Sequence, residues 1–309
     1  MTTEVTRDHI VAAAGRIESH VRRTPIVELG DVHSAGYTLS LKLENLQRTG
    51  SFKTRGAFSL MTAAEIPEAG VVAASGGNFG LAVACAARDL GHRATIFVPE
   101  TSPQEKVGRI AAYGVDLRPV PGFYPEALDA ATVWAAATGA FQAHAYDQAE
   151  VVAGQGTCAR EIFEDSPSLD TVLVPVGGGG LIAGIASWIH DEARVVAIEP
   201  DACPTLFEAR RAGKPVAVEV GGVAASSLGA SMLGDHAWQV NAWIDDAVLV
   251  TDSQIVEAQT WLWEACRLIV EPAAATTIAA LATGAYFPER GEHIVAVISG
   301  ANTAPGSVA

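Results

Sequence analysis

The chain has 309 residues, of which 49% are hydrophobic and 18% are charged, so it has ample material for a buried core and no composition typical of disorder. Its formal net charge of −15 argues against binding to nucleic acid or to an anionic membrane. No apolar run is long enough to span a bilayer, and residues 1–8 lack the basic and apolar regions of a signal peptide. The four cysteines have no metal-ligand spacing, and we expect buried free thiols in a reducing cytoplasm.

The N-terminal third begins with a predicted helix over 8–22, which the Thr24-Pro25 pair ends. Residues 38–44 alternate as a half-buried strand does, with leucines on one face and polar residues, including Lys42 and Glu44, on the other. A Thr-Gly-Ser turn follows, and a helix is predicted from Phe52 to about Ala63.

Short apolar runs then alternate with helical stretches to the end of the chain, which is typical of parallel sheets with helices on both faces. We predict an α/β protein with two parallel-sheet domains. Residues 45–144 would form a small mobile domain, and residues 1–44 and 145–309 a large one, with ligands beyond the carboxyl ends of the strands. The remaining predicted strands are 71–74, 94–98, 116–120, 140–143, 171–176, 195–199, 248–251 and 294–298; the helices are 78–90, 104–113, 126–137, 155–163, 181–190, 252–268 and 272–282.

Lys53 lies where a loop becomes a helix. The helix macrodipole disfavours a cation at that end and so favours the neutral amine. A neutral lysine amine forms a Schiff base with an aldehyde cofactor. The alternative interpretation is an ordinary surface lysine at a helix start.

Two glycine-rich loops each follow a predicted strand and open a helix, where backbone N–H groups and the helix dipole favour an anion. The first, residues 74–80, contains Ser75, Gly76, Gly77 and Asn78, and it also fits a tight turn with an Asn cap. The second is a run of four glycines, 177–180, for which phosphate is the expected ligand and a glycine hinge the alternative. Ser299 follows the last strand, a position that a simple turn former also occupies.

Residues 44–57, ENLQRTGSFKTRGA, resemble the lysine motif of the serine/threonine dehydratase family of pyridoxal-phosphate enzymes, which have the fold type II, tryptophan synthase β-like fold. The two glycine-rich loops and Ser299 occur in the family's order. The resemblance implies a cofactor in the cleft between the two domains. Its implied contacts are Phe52 and Lys53 at the ring and aldehyde, Asn78 at the phenolic oxygen, Ser299 at the pyridine nitrogen, Gly177, Gly178, Gly179 and Gly180 at the phosphate, and Ser75, Gly76, Gly77, Asn78 and Phe79 at the substrate.

Departures from the family pattern refine the expectation. Relatives that racemise serine carry a serine where this chain has Gly76, which cannot transfer a proton, so racemisation is not expected. Metal-activated relatives carry an acid six residues after the glutamate that corresponds to Glu199; here that residue is Thr205, and no metal is expected. Phe79 stands where a histidine is common in the family, and Phe123-Tyr124 falls in a loop that is usually polar there. These rings line either an enlarged substrate pocket or the core.

The resemblance implies a lyase that deaminates L-serine, L-threonine or a related β-hydroxy amino acid by β-elimination to a 2-oxo acid and ammonia. The alternatives are a β-replacement transferase such as a cysteine synthase, a dehydratase for bulkier substrates such as phenylserine, and a non-catalytic binding protein. A homodimer is the family habit. The end of the sequence at Ala309, without a regulatory domain, favours a degradative role.

Overall fold

The computed structural model describes residues 3–31, 36–304 and 306 of the chain. The predictions about residues 1–2 at the start and about the end at Ala309 lie outside these residues. The strands are β1 (Ile26–Asp31), β2 (Thr38–Lys42), β3 (Val71–Ala74), β4 (Ala94–Pro99), β5 (Asp116–Val120), β6 (Phe141–Ala143), β7 (Thr171–Pro175), β8 (Arg194–Pro200), β9 (Asp246–Val250) and β10 (His293–Val297). The α-helices are α1 (Arg7–Ile17), α2 (Lys53–Ala63), α3 (Asn78–Leu90), α4 (Gln104–Ala111), α5 (Tyr124–Thr138), α6 (Ala149–Asp165), α7 (Gly180–Ile189), α8 (Thr205–Ala212), α9 (Ala225–Leu228), α10 (Asp235–Gln239), α11 (Asp252–Cys266) and α12 (Pro272–Thr283).

Two separate sheets confirm the α/β prediction. The larger has six strands in the order β1-β2-β10-β7-β8-β9, and all of its pairs are parallel except β1 with β2. The smaller has four parallel strands in the order β5-β4-β3-β6. Strand β2 precedes the smaller sheet in the chain but pairs with β10 in the larger one. The division into a mobile small domain and a large domain stays a prediction.

Side chains on both faces of each sheet are buried, as parallel sheets require. In the smaller sheet, Val71 and Ala73 pack in the core against α2 and α3, whereas Val72 and Ala74 face α5. In the larger sheet, alternate residues of β7, β8 and β10 pack against α1, α6 and α7 on one face and against α11 and α12 on the other. The central strands of both sheets are therefore covered by helices on each face.

Most predicted elements are confirmed with shifted ends, and β3, α3 and β5 match their predicted bounds. The first helix ends at Ile17 rather than at residue 22 because the following backbone is bound elsewhere: Gln47 exchanges two 2.8 Å hydrogen bonds with the N–H and C=O of Arg22. Strand β1 and helices α8, α9 and α10 were not predicted.

The prediction that 38–44 is half-buried is wrong, because Lys42 and Glu44 are fully buried on the supposed solvent face. Arg55, also fully buried, donates to both carboxylate oxygens of Glu44 at 2.7 and 2.8 Å and to Glu161 at 2.7 and 2.8 Å. Lys42 Nζ donates to Glu161 at 2.6 Å. Two cations and two carboxylates thus compensate one another and anchor the first turn of α2 to β2 and α6.

All four cysteines are free thiols; Cys85, Cys158 and Cys203 are buried and Cys266 is partly buried. Within the described residues, no helix is both long and apolar enough to cross a membrane.

Candidate active site

Lys53 is the first residue of α2, and tertiary contacts place its turn against the end of β10. The N–H of Phe52 donates to the carbonyl oxygen of Ser299 at 3.1 Å, and Ser51 forms a bridge with Gly300. Ser299 is only 2% exposed. The lysine and the serine that the sequence singled out are therefore neighbours at the carboxyl edge of the larger sheet.

The Lys53 amine has little to stabilise a positive charge. It donates to the carbonyl oxygen of Ala145 at 3.0 Å and lies 4.9 Å from the centre of the Phe52 ring. Burial lowers its pKa to about 8, and the Glu271 carboxylate partly opposes that shift. The predicted direction is confirmed, but desolvation is the main cause rather than the helix end.

Asn78, at the start of α3, is held at both ends of its side-chain amide. Its Nδ2 donates to Glu271 Oε1 at 2.6 Å, and its Oδ1 accepts from Asn302 Nδ2 at 2.7 Å. Asn302 also donates to the carbonyl of Thr49 at 2.9 Å and accepts from Arg109 at 2.6 Å. One N–H of Asn78 remains for a ligand, so the contact that the resemblance implies is possible only with the amide in this fixed orientation.

Glu271, directly before the first residue of α12, is the main site residue that the sequence analysis did not single out. It is 1% exposed and is the N-cap residue of that helix. Besides Asn78, it accepts from Ser227 Oγ at 2.8 Å and lies 3.7 Å from Lys106 Nζ. Its position directly before a proline, at a helix start near the Ser299 motif, was the available signal.

The first glycine-rich loop follows β3, as predicted. Ser75 Oγ accepts from the N–H of Gly77 at 3.2 Å, which holds the loop in a tight turn. The N–H groups of Gly76, Asn78 and Phe79 donate to no protein acceptor within the described part of the chain. These amides are therefore free to face an anion, as at other helix N-termini.

The Phe79 ring lies in the core, one of the two positions considered for it, and substrate binding through its backbone N–H stays a prediction. Its ring is 2% exposed and packs in the apolar core beneath β3 and β4. Burying an aromatic ring removes apolar surface from water, and this stabilises the folded state more than a ring left exposed at a pocket wall would. Phe123 is 67% exposed, whereas Tyr124, the first residue of α5, is partly buried against the apolar cluster between α5 and the smaller sheet.

The four-glycine run leads from β7 into α7, and there is no room for side chains along it. A Cβ on Gly178 would overlap the Tyr146 ring, one on Gly177 would lie 2.6 Å from the Leu228 carbonyl oxygen, and Gly179 has φ +91°. None of the N–H groups of residues 177–180 is paired with a protein acceptor among the described residues. The run thus forms a backbone cradle with free donors at a helix N-terminus, which fits a phosphate group.

Glu199 and Thr205 support this cradle from behind. Thr205 Oγ1 donates to the carbonyl of Gly177 at 2.5 Å and to Glu199 at 3.2 Å. The Glu199 carboxylate also accepts the N–H groups of Leu206 and Phe207 at 2.8 Å, and burial raises its pKa to about 7. Thr205, the residue that the sequence analysis singled out after Glu199, therefore links the glycine run to β8 by hydrogen bonds.

Two parallel sheets, a lysine with a lowered pKa, a glycine cradle for phosphate and a strand-end serine define a site of the pyridoxal-phosphate enzyme class. The family model "Pyridoxal-phosphate dependent enzyme" matches residues 17–300, and the chain belongs to this family. Its cofactor is accordingly pyridoxal phosphate.

Known proteins of several activities resemble the chain. It is 36% identical to an L-threonine ammonia-lyase of Geobacter sulfurreducens, covering 95% of this chain and 74% of the relative. It is 32% identical to the β-hydroxyaspartate dehydratase of Paracoccus denitrificans, covering 96% of both chains. The structure of maize serine racemase matches with a TM-score of 0.94 at 31% identity, covering 99% of this chain and 96% of the racemase.

Proposed function

We propose that the protein is a pyridoxal-phosphate-dependent lyase that deaminates L-serine, L-threonine or a related β-hydroxy amino acid to a 2-oxo acid and ammonia. The observation that carries this proposal is the position of the Lys53 amine at the start of α2, where it donates to the Ala145 carbonyl at 3.0 Å. Burial there lowers its pKa to about 8. A substantial share of such an amine is neutral near physiological pH and can accept a proton. The resemblance to L-threonine ammonia-lyases supports the same activity.

The bound cofactor supplies an electron sink for the pair that remains when a Cα proton leaves. Lys53 would hold the cofactor, and its freed amine would take the Cα proton of the substrate. The N–H groups of residues 177–180 would hold the phosphate, and the second N–H of Asn78 and the Ser299 hydroxyl would orient the ring. The substrate loses its β-hydroxyl as water, and a water is consumed when ammonia is released, so L-serine yields pyruvate and ammonia.

The chain's own residues favour elimination over racemisation. Gly76 has no side chain to deliver a proton to the Cα face opposite Lys53. Ser299 has a neutral hydroxyl, which would leave the ring nitrogen less protonated than a carboxylate would. A less protonated ring stabilises a Cα carbanion less. A reaction in which the β-hydroxyl leaves as the carbanion forms suits such a ring.

The test is release of 2-oxo acid by the cofactor-loaded protein from L-serine, L-threonine, threo-3-hydroxyaspartate and threo-3-phenylserine, each with and without EDTA. Turnover of serine or threonine is expected, and Lys53→Ala should abolish it together with the visible absorbance of the bound cofactor. Lys214→Ala, which removes an exposed lysine, is the matched control. No release from any substrate by a coloured protein would contradict the proposal; product formation from O-acetylserine and sulfide would then identify a β-replacement enzyme.

A further inference from the structure

Ser102 takes up the space in the first glycine-rich loop that a side chain on Gly76 would need. A Cβ on Gly76 would overlap both side-chain heavy atoms of Ser102 and would lie 3.1 Å from Val98 Cγ1. Ser102 follows β4, the neighbour of β3 in the smaller sheet, so its hydroxyl reaches the loop from the adjacent strand end. The hydroxyl over this part of the loop thus comes from residue 102.

Ser102 is the first of three polar residues that reach the site from the start and body of α4. Lys106 and Arg109 are three residues apart and lie on one side of α4, and Ser102 lies two residues before the helix. Lys106 Nζ lies 3.2 Å from Ser226 Oγ, and Arg109 donates to Asn302 at 2.6 Å. This side of α4 therefore forms one wall of the candidate active site.

Of the three polar side chains on this wall, Lys106 and Arg109 each have a hydrogen-bond partner among the described residues. Lys106 also donates to Ser227 Oγ at 3.5 Å and is near the Glu271 carboxylate, so its charge is compensated. Within the described residues, the Ser102 hydroxyl has no hydrogen-bond partner, although its backbone is fixed by a 2.9 Å bond from its N–H to the Pro99 carbonyl. Ser102 is partly buried, and its side chain lies against Gly76 in the first glycine-rich loop.

We propose that Ser102 is a substrate-binding residue whose hydroxyl donates to the α-carboxylate of the amino acid, next to the free amides of the Gly76 loop. This inference rests on the proposed function, because it requires an amino-acid substrate. Gly76 and Ser102 then form one unit: the glycine makes room for the serine, and the serine supplies the donor. A donor at the carboxylate affects every amino acid that binds, whatever its β-substituent.

The test is a titration of the holoenzyme's visible absorbance with L-serine and with L-alanine, which has no leaving group. Ser102→Ala is expected to weaken the binding of both amino acids by the same factor, about 3- to 10-fold. Thr101→Ala is the control, since it removes the neighbouring hydroxyl, which donates to the Gly122 carbonyl at 3.3 Å on the exposed side. Unchanged affinities in Ser102→Ala, or a loss confined to L-serine, would overturn the assignment to the carboxylate.

A second set of variants tests the contact itself. Gly76→Ala should weaken amino-acid binding more than Ser102→Gly does, and Gly76→Ala/Ser102→Gly should recover to the level of Ser102→Gly because the overlap is gone. A double variant as weak as Gly76→Ala would contradict the packing argument. A wild-type protein that responds to no amino acid would overturn the proposed function and this inference together, whereas a responsive wild type with an unaffected Ser102→Ala overturns only the inference.

Discussion

Asn78 Nδ2 lies 2.6 Å from Glu271 Oε1, which joins the start of α3 on the smaller sheet to the start of α12 on the larger one. Both side chains are buried, and each is fixed by further partners, Asn302 on one side and Ser227 on the other. The bond sets which end of the Asn78 amide offers its remaining N–H to a ligand. The orientation of the Asn78 amide thus depends on a carboxylate 193 residues away in the chain.

Asn78→Asp is expected to lower kcat/KM by roughly 30-fold or more, because it replaces a buried donor to Glu271 with a second carboxylate. Steady-state kinetics measure this loss. Asn241→Asp is a matched control that should retain activity, since its side-chain oxygen accepts from Arg210 Nε at 2.7 Å and a carboxylate would do so equally well. Full activity in Asn78→Asp would show that the amide orientation is unimportant.

The rate at which the apoprotein takes up pyridoxal phosphate should rise with pH and level off above about 8, because only the neutral Lys53 amine reacts. Glu271 raises the Lys53 pKa, so Glu271→Gln should move this profile to lower pH. Stopped-flow absorbance across the neutral and alkaline range measures the midpoint. Glu264→Gln, which removes an exposed carboxylate on α11, should leave the midpoint in place. A shift to higher pH in Glu271→Gln would contradict the electrostatic account.

Gly178→Ala should raise the dissociation constant of the cofactor roughly 5- to 100-fold, because the new methyl group would overlap the Tyr146 ring and distort the phosphate cradle. Cofactor titration of the apoprotein measures the change. Gly15→Ala in α1, where nothing lies within 4 Å of the added Cβ, should leave cofactor binding intact and raise the free energy of unfolding by about 0.5–1 kcal/mol. Equal cofactor affinity in both variants would show that the glycine run does not bind the cofactor.

Glu44→Gln should lower the free energy of unfolding by about 3–5 kcal/mol, since it leaves Arg55 buried with reduced compensation. Arg55 and Lys42 hold the pKa of Glu44 below its usual value, although burial opposes them. The stabilisation is therefore present above the unfolded-state pKa and is lost as pH falls through the folded-state pKa. In Glu44→Gln, the free energy of unfolding should depend less on pH in this acid range. Glu208→Gln, which breaks an exposed pair with Arg211, should change stability by less than about 0.5 kcal/mol in the same denaturant titrations.

L-Serine is expected to yield no D-serine, because residue 76 carries no proton donor. Chiral chromatography of reaction mixtures measures the enantiomers. D-Serine formed by the wild type but not by Ser102→Ala would contradict this expectation and would assign the missing proton transfer to the Ser102 hydroxyl.

Features of the fold and the site that depend on residues adjacent in the chain could be predicted from the sequence alone. The periodicity of apolar residues predicted β3, α3 and β5 at their observed bounds. The helix start at Lys53 and the glycine run were also predicted, because a transition from loop to helix depends on residues that are adjacent in the chain. The α/β class followed from the alternation of buried strands and helices. The same kind of local pattern predicted solvent exposure for Lys42 and Glu44, which are buried. Alternation shows which residues share a face of a strand but not whether another element covers that face.

The tertiary structure alone decided which distant residues meet. Glu271 reaches Asn78, Asn302 connects Asn78 to Arg109, and Ser102 fills the space beside Gly76. Each pair is brought together by the order of strands in the sheets and by the angle at which helices leave them, which no local periodicity encodes. Burial likewise sets the Lys53 pKa, because desolvation depends on the whole surrounding fold rather than on the residues next to the lysine in sequence.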